Sequence, residues 1–527
     1  MSCWVFTIPC SALPYQKKKN NSEIIKKFRK SLLQSKGQHK SWSNILRVAR
    51  YDHELRHQLR QIGAYPSPSS HGWFCTRTNE YKLELAETVA WSGDYDWAAT
   101  LFLEQLYADE GINKDFCYIT ISLKYSPKLY TAGLKTLART TLERAISLMK
   151  PLKSKDAQDY QMKALVATAL IGVGHKEKGL ALMSHMLQDA EDLVKQGKHS
   201  LAQKILKNWF FAATKFHSRS MPRLIRKAHG LLPLKSFRPK TRMYAAEAMT
   251  NNGLKTGSIK DILTAIQWWG AERTEINTLN SLEDIAWGVC TVSDSKRLLK
   301  ILESQLPQSI TKNSPGPIDI PSELSLTAVE GCLNNGQKQD ARRLLTRAWN
   351  VHHARLTSIR PRESITFLVD FVKLSQKIGI DIEIRSQVLS MTDQIKASDY
   401  VAPRKASIYG LLNRYDKVET LTNQLKEIEY QNLAWTYAAQ SYITLNKADM
   451  ALLALQRIMD VKMKKSYFSS TEKDILKRTI LLNALLGRWK EAEDLLISSG
   501  KSRNPDLLAS LLLISLGHYD ASELDYL

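Results

Sequence analysis

The stretch GDYDWAATLF, residues 93–102, shows the pattern that decides the fold. Its first residue, Gly93, is followed by Tyr95 at +2, Ala98 at +5 and Phe102 at +9. Glycine can take the left-handed conformation that ends one helix, and a small residue lets the next helix cross close to the first. The stretch therefore predicts a unit of helix, tight turn and helix.

The same step of Gly or Asn, small residue and large apolar residue begins again at Gly197, Gly336, Asn446 and Gly487. One helix pair cannot bury its apolar face alone, so successive pairs stack on each other. We therefore predict an all-α fold of helix-turn-helix repeats stacked as an α-solenoid, preceded by a basic helical segment. The residues predicted to pack the repeats are Gly93, Tyr95, Ala98, Phe102, Gly336, Ala341, Gly487, Trp489 and Ala492.

This register resembles the tetratricopeptide-repeat superfamily, whose units of about 34 residues carry Gly, Tyr, Ala and Phe at set offsets. The best matches are residues 93–102 and 487–492, and the resemblance extends over residues 79–527. Spacings of 23 residues (Gly174 to Gly197) and 60 residues (Gly197 to Gly257) depart from the family. The resemblance implies a non-enzymatic scaffold that binds a protein or peptide in the solenoid groove.

Composition and turn chemistry divide the chain into segments. Two basic helices are expected over 22–35 and 42–62, and helix pairs should close near Gly93, Thr140, Gly174 and Gly197. The predicted segments are a mobile basic arm (1–21), a basic helical segment (22–64), a linker (65–78), N-terminal repeats (79–214), a basic loop or degenerate repeat (215–242), middle repeats (243–306), a second linker (307–321) and C-terminal repeats (322–527).

Positive charge is concentrated in two segments of the chain. The formal net charge is +23, and residues 17–60 hold 13 basic and 3 acidic residues, while residues 215–242 hold 9 basic residues and no acidic one. Clustered cations favour nucleic acid through counterion release, and Phe216, His217, His229 and Phe237 could stack on bases. The alternatives are a solvated loop that aids solubility, or contact with acidic protein or anionic lipid. The candidates are Lys17, Lys18, Lys19, Lys26, Lys27, Arg29, Lys30, Arg219, Arg223, Arg226, Lys227, Arg238, Lys240 and Arg242.

One motif has the spacing of a zinc hydrolase. His53-Glu54-Leu55-Arg56-His57 would place two imidazoles on one helix face with a glutamate between them. The helix is rich in arginine, however, and a third ligand is not evident. A basic, solvated helix is therefore the preferred interpretation. No phosphate-binding glycine loop is present, and no cofactor is predicted.

Cysteine usage and hydropathy point to a cytoplasmic protein. The six cysteines show no CxxC pairing and are interpreted as reduced thiols, and no apolar run approaches the length of a membrane span.

The C-terminal end of the chain carries an apolar helix that begins near Leu507, and no polar capping helix follows it. Repeat arrays usually end in such a cap. We therefore expect self-association or a partner to cover this edge, or else the short terminal helix with Tyr526.

Overall fold

The computed structural model of the chain describes residues 21–35, 39–62, 80–108, 114–149, 157–216, 220–232, 238–270, 285–291, 320–355, 361–379, 382–399, 401–458, 470–501, 504–519, 521 and 524. These residues form helices and turns, and no strand occurs among them. The predicted all-α solenoid fold is confirmed. The predicted arm, the 65–78 linker and most of the 307–321 linker lie outside the described residues.

The helices up to the middle of the chain are α1 (Asn21–Gln34), α2 (His39–Ala49), α3 (His53–Ile62), α4 (Glu80–Trp91), α5 (Tyr95–Leu106), α6 (Lys114–Thr131), α7 (Lys135–Leu148), α8 (Ala157–Gly172), α9 (Lys176–Lys195), α10 (His199–Ala213), α11 (Met221–Gly230), α12 (Pro239–Thr256) and α13 (Ile259–Gly270). A 3₁₀ turn, Val289–Thr291, follows. The later helices are α14 (Ile320–Asn334), α15 (Lys338–Arg355), α16 (Pro361–Ile378), α17 (Ile382–Gln394), α18 (Ala402–Leu411), α19 (Tyr415–Gln424), α20 (Ile428–Thr444), α21 (Ala448–Gln456), α22 (Ser470–Leu485), α23 (Trp489–Ser498) and α24 (Pro505–Ser515).

The turn residues of the five sequence copies adopt the left-handed backbone. Gly93, Gly197, Gly336 and Gly487 have φ values from +73° to +89°, and Asn446 has a φ of +58°. Such values are costly for most residues that carry a Cβ atom. The requirement for Gly or Asn at this step is therefore a requirement of the backbone.

The small residues of the copies lie where two helices cross. Ala98, Ala202, Ala341, Ala451 and Ala492 are each 0% exposed. Because there is no space beside them, a larger side chain would push the paired helices apart.

Tyrosine at +2 has a different role from the alanine, since Tyr95 remains 47% exposed. A Cβ atom placed on Gly133, the turn residue of the next pair, would lie 2.6 Å from the Tyr95 hydroxyl. Tyr95 therefore packs over the turn of the following repeat.

One predicted turn and one predicted helix differ from the structure. Thr140 lies inside α7, and the pair of α6 and α7 turns at Gly133, whose φ is +110°. The helix predicted over 42–62 is divided into α2 and α3 at Asp52, whose side chain accepts a hydrogen bond from the Leu55 amide at 3.1 Å. A side-chain oxygen in this position satisfies a free N–H in the first turn of a new helix, so Asp52 starts α3.

The chain separates into two compact units. The first array comprises Ser69–Arg360 with Leu374–Ile380, and the second array comprises Met1–Pro68, Pro361–Lys373 and Asp381–Leu527. The N-terminal basic helices thus belong to the same unit as the C-terminal repeats.

In the first array, α4, α6, α8, α10 and α12 form a row in which each helix touches the next. The helices α5, α7, α9 and α13 each pack beside the row helix that precedes them, and α11 packs on both α10 and α12. We call these the flanking helices. The basic segment 215–242 therefore contains a flanking helix, α11, where a loop or a degenerate repeat was expected.

The first array also contains disulfide bonds. Cys290, in the 3₁₀ turn, is bonded to Cys332 of α14, with Cα atoms 5.1 Å apart across a sequence separation of 42 residues. Cys117 is disulfide-bonded as well. The prediction of reduced thiols is wrong for these three residues, because folding brings together cysteines that no sequence spacing relates. Cys3, Cys10 and Cys75 lie outside the described residues, and the cytoplasmic location stays a prediction.

In the second array, α18, α20, α22 and α24 form an equivalent row, flanked by α19, α21 and α23. Beyond α24, the next position of the row is filled by α1 and α2, which both pack on α24. Leu32, Trp42 and Ile45 are 0% exposed on the N-terminal helices, as are Leu508 and Leu512 on α24.

Polar contacts surround this apolar junction. Lys27 donates to Glu493 at 2.9 Å, and Asn44 donates to Asp506 at 2.6 Å. The Tyr51 ring stacks on His518 with centroids 3.9 Å apart. The expectation that a second copy or a partner covers this edge is therefore wrong, because the chain caps it with its own N-terminal helices. The alternative that rested on Tyr526 lies outside the described residues.

Among the described residues, no helix combines the length and the apolar character that a membrane crossing requires.

Candidate functional site

The row helices of the first array leave one narrow stripe of side chains exposed. The helices α6, α8 and α10 each pack against a row helix on either side and against a flanking helix, so only one side remains open. We call the exposed or partly exposed residues of α6, α8, α10 and α12 on this side the open face. Its members are Lys124, Lys128, Leu165, Lys204, Lys207, Phe211, Lys215, Lys240 and Tyr244.

At the α6 end, the charges of the open face are already neutralised. Lys124 donates to Glu80 at 3.0 Å, and Lys128 donates to Glu87 at 2.9 Å. Both ammonium groups also lie over the ring of Tyr125, at 5.3 and 5.2 Å from its centroid. Burial, reinforced by the neighbouring glutamates, raises the pKa of Tyr125. This end is a self-contained network that joins α4 to α6.

At the α10 end, the lysines have no such partners. Lys204 and Lys207 are exposed on α10, Lys215 is exposed in the turn that follows it, and Lys240 is exposed at the start of α12. No ion pair joins any of the four to an acidic group in the part of the chain that the structure describes. This end of the open face is therefore strongly positive.

An exposed aromatic pair lies among these lysines. The Phe211 ring meets the Tyr244 ring edge to face, with centroids 5.6 Å apart and planes at 67°. Phe211 is 36% exposed, whereas its neighbour Phe210 is 0% exposed. The pair connects α10 to α12 and leaves apolar ring surface open to solvent.

The basic residues predicted in segment 215–242 behave differently from one another. Arg226 forms an ion pair with Asp261, and Lys227 donates to Glu191 at 2.8 Å. The hydrogen bond from Lys227 lowers the pKa of Glu191. Arg223 is exposed on α11. Two of these three cations therefore hold α11 against its neighbours.

The other predicted cations of this segment lie near the start of α12. Arg238 and Lys240 are exposed, Arg242 is partly exposed, and Arg219 lies outside the described residues.

Two of the aromatic side chains predicted to stack on bases are instead packed inside the protein. Phe216 is 1% exposed, and His229 lies flat on Trp268, with centroids 3.9 Å apart and planes at 5°. Burial lowers the pKa of His229 to about 4. His217 and Phe237 lie outside the described residues. The exposed rings of the region are instead Phe211 and Tyr244.

The N-terminal basic segment is used in part for packing. Arg29 donates to the buried Asp52 at 2.7 Å, and Lys27 is paired with Glu493. Lys26 and Lys30 are exposed on α1, while Lys17, Lys18 and Lys19 lie outside the described residues. The main observed role of this segment is therefore to cap the second array.

The zinc-like motif lies at the surface of α3. His53, Glu54 and His57 are exposed, and Gln61 Nε2 lies 2.9 Å from His57 Nε2. Among the described residues, no group of three His, Cys, Asp or Glu side chains is placed to hold a metal ion.

The second array offers no comparable face on α20. The residues of α20 that would line a groove are buried, including Thr436, Gln440 and Ser441. Gln440 donates to the Ala521 carbonyl at 2.8 Å, and Arg478 donates to Gln440 at 3.0 Å. The C-terminal segment therefore lies against the row, and polar groups expected in a binding groove are bonded to each other.

Sequence reasoning missed the stripe on α10, although a signal for it exists. Lys204, Lys207 and Phe211 follow each other at helical steps of three or four residues within a helix that has no acidic residue, and Lys215 continues the spacing just beyond the helix. Counting charge by segment set a boundary at residue 215 and so divided this stripe.

No protein-family model matches the chain, and no curated protein matches it. Among solved structures, the chain is similar to one described as a circular tandem repeat protein with novel repeat topology and enhanced subunit contact surfaces, at 14% sequence identity, covering 96% of this chain and 97% of that chain, with a TM-score of 0.17. This similarity gives no information about the ligand.

Proposed function

We propose that the chain is a non-enzymatic helical-repeat scaffold that holds an extended, anionic partner on the open face of the first array. The observation that carries the proposal is the set of lysines on α10 and α12 that have no acidic partner among the described residues. Unneutralised cations on a continuous face attract a polyanion, and their attraction falls with added salt. Two classes of partner have this character: an acidic peptide, which the resemblance to tetratricopeptide repeats implies, and a nucleic acid.

The test compares two charge reversals of equal size. In one variant, Lys204→Glu is combined with Lys207→Glu on the open face. In the control, Lys135→Glu is combined with Lys176→Glu, because these lysines are exposed on the flanking helices α7 and α9. Binding of fluorescent poly-L-glutamate and of a fluorescent oligonucleotide is measured by anisotropy at several salt concentrations.

We expect at least one polyanion to bind, with a loss of about tenfold or more in the open-face variant and little change in the control. If neither polyanion binds, or if both variants lose the same affinity, the open face is not a binding surface.

The non-enzymatic part of the proposal has its own test. The exposure of His53, Glu54 and His57 supports a solvated helix. The zinc content of the purified chain is measured by mass spectrometry before and after His53→Ala and His57→Ala. One zinc per chain that disappears in the variants would contradict the proposal.

A further inference from the structure

We propose that α10 and α12 form a binding site for single-stranded nucleic acid, with Lys204, Lys207 and Lys240 contacting phosphates and Phe211 stacking on a base. This inference rests on the proposed function and names the class of the anionic partner. It places the site on row helices, away from the paired cations of α11.

The charge of α10 supports a phosphate backbone as the ligand. The helix contains no acidic residue, its exposed lysines lie at positions 204 and 207, and the exposed Lys215 follows in the turn after the helix. On α12 the acidic residue is Glu247, which follows Tyr244 by about one turn, so Lys240 lies on the far side of the ring from it. The lysines of α10, which have no carboxylate between them along that helix, match a regularly charged strand.

The aromatic pair distinguishes a single strand from other polyanions. Phe211 is 36% exposed and its edge-to-face contact with Tyr244 leaves a ring face available. An unpaired base can stack on such a ring, whereas a base within a duplex is already stacked on its neighbours. An acidic peptide would satisfy the lysines and leave the ring without a stacking partner. The combination therefore favours a single-stranded nucleic acid.

The site is also rigidly supported from below. Asn251 donates to the Thr214 carbonyl at 3.2 Å, and Asn252 donates to the Phe216 carbonyl at 2.9 Å. These bonds from α12 to the end of α10 fix the two row helices in register. The lysines and the ring are thus presented in a fixed arrangement, which reduces the ordering cost of binding.

The experiment measures anisotropy of four labelled probes with the full chain: a 20-nucleotide oligo(dT), a 20-nucleotide oligo(U), a 20-base-pair DNA duplex and poly-L-glutamate. The variants are Lys204→Glu with Lys207→Glu, Phe211→Leu, and the control Lys135→Glu with Lys176→Glu. Phe211→Leu keeps an apolar side chain at the position and removes only the aromatic ring. Circular dichroism and a denaturation midpoint confirm that each variant is folded.

We expect the single strands to bind more tightly than the duplex and poly-L-glutamate. Loss of two phosphate contacts should lower the salt slope by about 1.4, and Phe211→Leu should weaken binding by roughly fivefold to a hundredfold at an unchanged salt slope. The control should bind as the unmodified chain does.

Other outcomes overturn the inference in distinguishable ways. Tight binding of poly-L-glutamate that depends on Lys204 and Lys207, without binding of either single strand, would leave the proposed scaffold in place and assign the face to an acidic protein. Single-strand binding that is unchanged in both open-face variants would move the nucleic acid elsewhere on the chain. Absence of binding by all four probes would contradict the proposed function as well.

Discussion

The first and second arrays are built from the same repeat step, yet they differ in what their row helices leave exposed. In the first array, α10 exposes Lys204, Lys207 and Phe211 to solvent. In the second array, all but one of the residues from Leu507 to Ile514 and from Ala434 to Ile443 are buried. A regular repeat is therefore a guide to the fold and not to the binding surface, since the array whose sequence is most regular is the one whose row is closed.

The row of the second array is covered by α1 and α2 and by the segment around Ala521. The helices α1 and α2 take the place beyond α24, and the carbonyl of Ala521 accepts a hydrogen bond from Gln440. In the other repeats, apolar surface is buried against the next repeat. At α24 it is buried against α1 and α2. Four predictions test this difference, beginning with the variant that should have the largest effect.

Leu512→Ala should strongly destabilise the second array. Leu512 is 0% exposed on α24, and removal of a buried leucine side chain costs about 2–5 kcal/mol, depending on how far the site collapses. The matched variant Leu165→Ala, at a leucine that is 38% exposed on α8, should change the free energy of unfolding by well under about 1 kcal/mol. Urea denaturation measures both, and equal costs would mean that the two rows are equally closed.

Ala98→Leu and Ala492→Leu should be similarly unfavourable, although they lie in different arrays. Both alanines are 0% exposed at a helix crossing, and overpacking of such a site costs about 1–3 kcal/mol. Ala99→Leu is the control, because Ala99 is partly exposed one position further along α5. A denaturation midpoint that does not change in Ala492→Leu would show that the shared repeat step does not set the packing of the second array.

Acid should weaken the first array through His229. Burial against Trp268 lowers the pKa of His229 to about 4, below its ordinary value near 6.5. Between these two pH values the unfolded chain binds a proton that the folded chain does not, so the free energy of unfolding falls as the pH drops from about 6.5 to about 4. His229→Phe keeps a ring on Trp268 and cannot be protonated. The difference in stability between the two proteins should therefore change over this pH range, and a constant difference would contradict the assignment.

The sequence predicted the helix pairs well because their turns depend on local backbone chemistry. Gly93, Gly487 and Asn446 are recognisable since few other residues tolerate a positive φ. The turn at Gly133 was missed although its sequence follows the same step, with Ala138 at +5 and Leu142 at +9. Asp52 divides a predicted helix through a local contact, because it accepts a hydrogen bond from the Leu55 amide. Its second contact, with Arg29 of α1, joins residues 23 positions apart and was not predictable from the local sequence.

The candidate site was harder to predict, because charge along the sequence does not show which cations are neutralised. Arg226 and Lys227 were strong candidates by clustering, and they are paired with Asp261 and Glu191, 35 and 36 residues away in the chain. Lys204 and Lys207 lie outside both segments of concentrated positive charge, because residues 176–198 before them carry acidic as well as basic side chains. The cap formed by α1 could not be predicted, because its contacts join distant parts of the sequence. Lys27 of α1 and Glu493 of α23, for example, are 466 positions apart.

The smallest expected effect concerns that ion pair at the junction of α1 and α23. The Lys27 side chain is 64% exposed, so its removal in Lys27→Ala should cost about 1 kcal/mol or less. The Glu493 side chain is only 5% exposed, and Lys490 lies 3.5 Å from it, so the carboxylate keeps one cation when Lys27 is removed.

Removal of both lysines would leave a buried carboxylate uncompensated. We therefore expect the double variant Lys27→Ala with Lys490→Ala to lose more stability than the sum of the two single variants, as neighbouring sites that share a partner do. Glu493→Gln in the double-variant background should restore stability, because it removes the uncompensated charge and keeps the side-chain shape. Strict additivity across this cycle, measured by urea denaturation, would show that α1 is not held at this point in solution and that the cap of the second array is looser than its apolar centre indicates.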